Sequence, residues 1–409
     1  MPAPTPSDEP ERGPRAIEVV AVPPGAEGVA VTRGVIDRLL ETDHAGPAVA
    51  LVDDAVTAEG IVRPHDPLED PRTALIVLTS GSTGDPKGVC WSRENILAMA
   101  AMWRTRYPDL APAPRVAALP VTSAGGLGLV IRAVLDQAPL VAVPSIGGAA
   151  RFDPEVFADA VRPVCDDGPV VSLVPTQLAL LIRHDSGRGA LRAMSRVFLG
   201  GAAAPARLVD DARDLGIEVV TTYGMTETCG GCVHDGHPLD GVDVRVDDGG
   251  RIHLAGPMCA LGYRLRPDET ASAFTRMSFA TGDVGSWDGH RLTVVGRIDD
   301  IVQVRGTNVA LGAVERAIVD SGSAREAVAF AVDDDVDGHR IVVLVVPDPA
   351  EVTGQTWIET LRASVRARLG SPAVPSSIRP VSVLPYLPGG KIDRLSARAL
   401  VSDGDNEGI

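Results

Sequence analysis

The residues best suited to chemistry lie in one stretch, Thr79-Ser80-Gly81-Ser82-Thr83-Gly84-Asp85-Pro86-Lys87-Gly88, which follows the apolar run Leu75–Leu78. Glycines let successive backbone N–H groups turn into a concavity that holds an anion. The four hydroxyls add donors, and Lys87 adds a full positive charge for phosphate oxygens. The spacing is not that of the Walker A loop. Gly84 stands three residues before Lys87, Pro86 intervenes, and Gly88 occupies the place of the hydroxyl that would meet magnesium. The stretch reads as a polyphosphate loop of another kind.

Four later groups carry matching chemistry. Tyr223-Gly224-Met225-Thr226-Glu227 follows the β-type run Val219–Thr222, so it falls at the carboxyl end of a strand, where open α/β sheets bind ligands. Tyr223 offers a flat face for stacking, Thr226 a hydroxyl for phosphate, and Glu227 a hard oxygen ligand for Mg²⁺. Thr281-Gly282-Asp283 provides a carboxylate in a turn. Gly296-Arg297-Ile298-Asp299-Asp300 leads toward Gly306, and Leu387-Pro388-Gly389-Gly390-Lys391 sets a cation in a glycine-rich turn. Each of the last three, taken alone, is an ordinary turn. Cys229 and Cys232, with His234 and His237 nearby, invite a zinc or redox reading. The long interval that zinc half-sites need is missing, and so is a thioredoxin-like context. A pocket lining is the better reading for Cys229 and Gly230.

The elements that must position these groups alternate. β-type runs precede a helix at Val31–Leu40, and Ala48–Val52 is a further strand. Strand Leu75–Leu78 feeds the phosphate loop, and a helical pattern opens at Trp91–Asn95. Strands at Arg115–Leu119, Leu140–Val143, Val170–Leu173, Val197–Leu199 and Ile217–Thr221 alternate with helices at Leu127–Leu135, Pro154–Val161, after Pro175 and at Pro205–Leu215. Such alternation implies parallel sheets covered on both faces. Val242–Val246 and Arg251–Leu254 flank Asp247-Asp248-Gly249-Gly250 and read as a β-hairpin. Arg291–Val295 and Ile298–Val304 prolong this strand-rich part. From Leu311 the pattern becomes α+β: a helix, strands near Ala327–Val332 and Ile341–Val346, a helix Thr356–Leu369 and a strand near Ile378–Leu384. The expected fold is therefore α/β, with a large N-terminal domain of parallel-rich sheets flanked by helices plus a β-rich segment, and a small mobile α+β C-terminal domain. The expected boundaries are a disordered leader 1–15, a large domain 16–296, a small domain 297–401 and an acidic tail 402–409.

The chain of 409 residues has a net formal charge of −16, which argues against nucleic acid as a partner. No run approaches the ~18 apolar residues of a membrane span, so no membrane insertion is expected. Five cysteines without regular spacing suit a reducing, cytoplasmic setting. The oligomeric state, a homo-oligomer included, is left open.

Taken in order, these motifs resemble the adenylate-forming superfamily of acyl- and aryl-CoA synthetases, peptide-synthetase adenylation domains and luciferases, from Leu75 to Arg394. The resemblance implies an acid–thiol ligase that uses ATP, Mg²⁺ and coenzyme A on a small carboxylic acid. It implies that Thr79, Ser80, Gly81, Ser82, Thr83, Gly84 and Lys87 hold phosphate, and that Gly200, Gly201 and Ala202 lie against adenine with Tyr223, Gly224 and Met225. Asp283 would bind the ribose hydroxyls and Arg297 the nucleotide. Thr226, Glu227 as the metal ligand, and Lys391 between carboxylate and α-phosphate would be catalytic. Asp299 would be the interdomain hinge, and Gly306 would approach CoA.

The chain before Thr79 is short for this family, implying a reduced N-terminal subdomain. Compactness, Ser172–Leu178, Thr221–Val242 and Gly256-Pro257 to Gly262-Tyr263-Arg264 resemble the short actinobacterial o-succinylbenzoate–CoA ligases of menaquinone synthesis. Ser123 stands where those ligases have a histidine, and Gln303 replaces the usual lysine of its segment. The departure at Ser123 keeps three alternatives in view: a specialised-metabolism ligase for a bulkier acid, an enzyme of the thioesterification half-reaction alone, and a carrier-protein-loading adenylation enzyme.

Overall fold

The computed structural model describes residues 16–41, 46–79, 86–147, 151–275, 277–334, 337–387 and 392–402. The expected leader, the tail from 403 onward, Ser80 to Gly84 of the phosphate loop, and Lys391 lie outside the described residues.

Two sheets dominate the first part of the chain. The first three strands pair in parallel: Ile17–Ala21 with Ala48–Val52, and the latter with Thr73–Leu78. Ala48–Val52 is buried along its whole length, as expected of a parallel strand covered on both faces. A seven-stranded sheet follows, in which Leu140–Ala142, Arg115–Ala117, Val170–Leu173, Arg196–Leu199 and Val219–Met225 run parallel in that spatial order. Its register aligns Leu173 with Leu199 and Leu199 with Thr221, so Val174 and Gly200 leave their strands at the level of Thr222, at the carboxyl end of the parallel strands. Helices at Arg93–Arg106, Ala124–Asp136, Pro175–Arg183 and Ala206–Asp214 cover these sheets. One continuous apolar core joins both sheets and their helices, with Trp91, Leu127, Phe157, Leu173 and Leu178 fully enclosed.

The strand-rich part is antiparallel: Asp243–Val246, Arg251–Ala255, Ser278–Trp287 and Leu292–Arg297 are successive neighbours. Beyond it, Ile301–Val304, Thr307–Ala310, Ala324–Asp334, Gly338–Pro347 and Ser377–Pro380 form a separate sheet. Helices Leu311–Val319 and Gln355–Leu369 close a second core over it, around Val314, Val343, Trp357 and Leu361. The α/β class and the β-rich segment are as the sequence led one to expect.

Some local expectations need correction. Gly88–Ser92 is a strand antiparallel to Thr73–Leu78, so Trp91 belongs to the sheet and the helix begins at Arg93. Burial on both sides decides this, because Val89, Cys90 and Trp91 are all interior. Ser92 caps the helix by accepting from Asn95 N at 3.1 Å, while the Asn95 side chain accepts from Ser92 N at 2.9 Å. Only one strand, Ile17–Ala21, precedes the first helix, which starts at Gly25. Ile298–Asp300 is a 3-10 turn ahead of the strand Ile301–Val304, and the last strand ends at Pro380.

Candidate active site

The mouth of the phosphate loop is closed by its own ends. Thr79 N donates to Lys87 O at 2.8 Å, and Lys87 N donates to Thr79 Oγ1 at 3.0 Å. Lys87 Nζ pairs with Glu269 Oε2 at 2.5 Å and lies 4.7 Å from the centroid of the Tyr263 ring. Pairing Gly88–Ser92 against Thr73–Leu78 holds the two ends of the stretch side by side.

Two contacts bring the Tyr223–Glu227 segment to this mouth. Trp91 Nε1 donates to Thr226 O at 2.8 Å, and the Tyr263 hydroxyl donates to Glu227 Oε1 at 2.9 Å. Thr226–Thr228 is a 3-10 turn stabilised by Met225 N donating to Thr228 Oγ1 at 3.0 Å. Gly224 is required by close approach: a Cβ there would lie 2.1 Å from Gly230 O. Gly200 is likewise confined, since a Cβ would lie 2.3 Å from Thr222 Oγ1. Gly201 and Ala202 follow it, both exposed, at the same end of the sheet.

The Tyr223 hydroxyl donates to Asp283 Oδ2 at 2.8 Å, and Arg297 Nη1 lies 3.7 Å from Asp283 Oδ1. Register explains the second contact, because Asp283 and Arg297 face each other on neighbouring antiparallel strands. Burial raises the Asp283 carboxyl above its ordinary range, against the opposing pull of Tyr223 and Arg297. Arg297 also reaches Asp299 at 3.4 Å, so the expected ribose carboxylate and the expected hinge share one guanidinium. The structure thus brings Thr79, Lys87, Thr226, Glu227, Tyr223, Asp283, Arg297 and Asp299 into one linked set. Gly306 is different. It sits at a hairpin tip with φ of +73° and nothing within 4 Å of a built Cβ.

Glu227 Oε2 has no protein partner among the described residues, and among them no group of three His, Cys, Asp or Glu could hold a metal. A magnesium ion suits such a place, because it is commonly held by one or two carboxylates and otherwise by substrate phosphates and water. The donor set therefore fits Mg²⁺ at Glu227.

Ser123 caps the helix Ala124–Asp136: its Oγ donates to Pro120 O at 2.7 Å and accepts from Gly126 N at 3.4 Å. Gly230 approaches this helix end, a Cβ there lying 3.8 Å from Ala124 O. Cys229 is buried in a left-handed conformation at φ of +53°, and burial holds its thiol well above the usual range. Cys232 is pushed up to about 12 by the same cause, so neither thiol has the lowered pKa that favours a reactive redox pair.

Sequence reasoning missed two arginines. Arg264 is fully enclosed and donates to the carbonyls of Val62, Arg63, Asp66 and Pro67 and to Glu69 Oε1. Arg132 lies on the helix face of Ala124 and Gly128. Its guanidinium carbon is 3.8 Å from the centroid of the Trp103 ring, and among the described residues it makes no hydrogen bond or ion pair. Burial lowers its pKa to about 9. A crevice of about 400 Å³, its open end included, is lined here by Trp103, Tyr107, Leu129, Arg132, Ser172 and Phe198. A charged residue inside an otherwise apolar helix was the available signal for Arg132; nothing local marked Arg264.

Against known proteins, the AMP-binding enzyme family matches residues 18–264, and the C-terminal domain of AMP-binding enzymes matches residues 313–391. The chain belongs to the AMP-binding enzyme family. This bears out the adenylate-forming resemblance of the motifs. The AMP-binding enzyme is 35% identical over 345 residues to a probable 2-succinylbenzoate–CoA ligase of Mycobacterium tuberculosis, covering 82% of this chain and 86% of that one. It is 31% identical to a sulfoacetate–CoA ligase of Cupriavidus necator, covering 88% and 74% respectively. Its fold matches o-succinylbenzoate CoA synthetase of Bacillus subtilis, solved with its acyl-adenylate intermediate, at a TM-score of 0.71 and 21% identity, over 94% of this chain and 88% of that one.

Proposed function

We propose that this AMP-binding enzyme is an AMP-forming acid–CoA ligase for acids carrying a second anionic group, with o-succinylbenzoate the leading substrate. A carboxylate oxygen of the acid attacks the α-phosphorus of ATP, the bond to pyrophosphate breaks, and an acyl adenylate forms. The CoA thiol then attacks the acyl carbonyl and AMP leaves.

The linked set around Glu227 supports the nucleotide half of this reading. Thr79, the loop 80–84 and Lys87 bind the phosphates, with Thr226 beside them. Tyr223, Gly224 and Met225 receive the base together with Gly200, Gly201 and Ala202. Asp283 takes the ribose and Arg297 the nucleotide. A magnesium ion at Glu227 would neutralise phosphate charge. Lys391, reaching in from the C-terminal part, stabilises charge that develops between carboxylate and α-phosphate. The domain 297–401 turns about Asp299 relative to 16–296, withdrawing Lys391 and bringing Gly306 toward CoA.

The observation that carries the choice of acid is Arg132. Its helix presents Ala124 and then Gly128 on the face leading from Ser123 to Arg132, and a Cβ at Gly128 would come within 3.2 Å of Arg132 Nη1. The absence of a side chain at Gly128 makes room for the guanidinium, and an aromatic wall with an unpaired guanidinium suits an aryl ring bearing a carboxylate. The test is a panel of carboxylic acids, o-succinylbenzoate and 4-oxo-4-phenylbutanoate included, with mass detection of adenylates and CoA thioesters. Products from o-succinylbenzoate at high efficiency support the reading; products only from monoanionic acids overturn it.

A second reading draws on Ser123. Its hydroxyl is engaged in capping its own helix, so it offers no free donor to a carboxylate or α-phosphate. The chain would then carry out thioester formation from an adenylate made elsewhere. Acid-dependent exchange of labelled pyrophosphate into ATP excludes that reading. Its absence, with CoA thioester formed from supplied adenylate, establishes it. Free CoA against a phosphopantetheinyl protein as acceptor separates the carrier-loading alternative. All five cysteines are free, and no helix among the described residues is long and apolar enough to cross a membrane, which supports a cytoplasmic placement.

A further inference from the structure

Tyr263 touches both charged groups at the mouth of the phosphate loop. Its hydroxyl donates to Glu227 Oε1 at 2.9 Å, and its ring face lies 4.7 Å below Lys87 Nζ. We propose that Tyr263 is a positioning residue for the phosphate end of the site, fixing the Glu227 carboxylate through its hydroxyl and seating the Lys87 ammonium on its ring. The inference rests on the reading of Glu227 as the metal-binding carboxylate.

The backbone under Tyr263 is held from three directions. Gly262–Tyr263 is a two-residue strand paired with Cys90 and Val89, directly after the loop. Leu261 N donates to Cys90 O at 2.9 Å and Arg264 N to Gly88 O at 2.7 Å. The Arg264 side chain then locks the next position into the segment 62–69. On the third side, Tyr263 N donates to Thr270 Oγ1 at 2.9 Å. The ring itself is 7% exposed and meets Phe274 edge-on at 5.2 Å, and Phe274 is packed on Phe279 at 4.8 Å.

Glu227 is held just as firmly at its backbone. Ala260 N donates to Glu227 O at 2.9 Å, and Trp91 fixes the preceding carbonyl at 2.8 Å. Only the side-chain torsions of Glu227 are left to set. A hydrogen bond that occupies Oε1 settles them and leaves Oε2 as the outward donor atom. Such an outer partner both orients a metal-binding carboxylate and sets its availability.

Packing alone would be served by phenylalanine. A hydroxyl in a wall made by Phe274 and Phe279 needs a polar partner to offset its desolvation, and that partner is the Glu227 carboxylate. The ring's contribution is separate. A cation over an aromatic face is attracted without a fixed hydrogen-bond direction, so Lys87 can leave Glu269 for phosphate while keeping its seat.

The test is calorimetric titration of the full chain with ATP, once with Mg²⁺ and once with EDTA. Y263F should lower the Mg²⁺-dependent gain in ATP affinity roughly tenfold, as loss of an outer partner does. Its affinity in EDTA should stay within about twofold, because the ring under Lys87 is kept. E227Q should lower the same gain, and Y263F in the E227Q background should add nothing further. Y263L should weaken ATP binding in EDTA as well, several-fold. Wild-type gain in Y263F beside a reduced gain in E227Q reduces Tyr263 to packing and overturns the inference. An unchanged gain in E227Q instead removes the metal reading of Glu227 itself. Thermal melting of Y263F, which lacks a single oxygen atom, confirms that the fold is kept.

Discussion

Lys87 and Glu269 are joined by an ion pair of 2.5 Å across the mouth of the phosphate loop, and Glu269 is also held by Arg266 at 2.7 Å. Arg266 and then Lys87 keep the Glu269 carboxyl below its ordinary range, so the pair persists through neutral pH. On the proposed reading, phosphate replaces Glu269 at Lys87 when ATP binds.

E269Q therefore should tighten ATP binding. Exposed pairs of this kind contribute a few tenths to about 1 kcal/mol, which corresponds to a roughly two- to fivefold fall in Kd. The effect should shrink at high salt, where the wild-type pair is screened. Calorimetry at two ionic strengths checks both points; weaker binding in E269Q would show that Glu269 helps hold the nucleotide.

Lys391→Ala should suppress adenylate formation by about two to three orders of magnitude while sparing thioester formation from supplied adenylate. On the proposed reading, the residue is needed only where negative charge builds at the α-phosphate. Rapid-quench measurement of each half-reaction decides it, and equal loss in both would reject the assignment.

Much of this architecture could be read along the chain. The parallel strands were legible because burial on both faces demands apolar runs such as Ala48–Val52, and the hairpin near Asp247 because turn chemistry is local. The order of the motifs pointed to the nucleotide site before any contact was known. Long-range contacts were not legible. Trp91–Asn95 read as the opening of a helix, whereas sheet pairing and burial make Gly88–Ser92 a strand and start the helix at Arg93. Gly262–Tyr263 is too short to leave a strand pattern, and its partner lies at Val89–Cys90. The acceptors of Arg264 stand about two hundred positions earlier, so nothing local signals five donors consumed inside the protein.

Arg264 should accordingly matter more to stability than any surface charge. Arg264→Leu removes five hydrogen bonds to the segment 62–69 and leaves the Val62, Asp66 and Pro67 carbonyls without their donor, and the cost should be about 3–5 kcal/mol in urea unfolding. Arg264→Lys should recover little, because an ammonium cannot reproduce the planar fork. A cost below about 1 kcal/mol would mean that water replaces the guanidinium.

His234 supplies a pH dependence of definite sign. It is 1% exposed, accepts the Tyr107 hydroxyl at Nδ1 over 2.8 Å, and meets Trp103 edge-on at 4.5 Å. Burial lowers its pKa to about 3, so it stays neutral in the folded chain, while the unfolded chain takes up a proton below about 6.5. The folded pKa is the depressed one, so its contribution is complete above pH 6.5 and is lost as pH falls toward 3. Between pH 7 and pH 5 the loss from this residue should be about 2 kcal/mol. H234Q should flatten that part of the stability profile, as read from urea unfolding at each pH; an unchanged slope would place the proton uptake elsewhere.

Arg132→Gln separates recognition of the acid from chemistry on it. If the guanidinium meets a second carboxylate, kcat/KM for o-succinylbenzoate should fall roughly ten- to a hundredfold, the loss expected for a charge-assisted hydrogen-bonded pair. Activity toward 4-oxo-4-phenylbutanoate, which lacks that carboxylate, should change by less than about threefold, because the nucleotide end around Glu227 is untouched and Gln keeps much of the volume over Trp103. The two substrates share the ketone, the ring and the reacting carboxyl, so the ratio of their kcat/KM values isolates one charge. Equal losses on both would assign Arg132 to packing between its helix and Trp103, and the second anionic group would then need another partner.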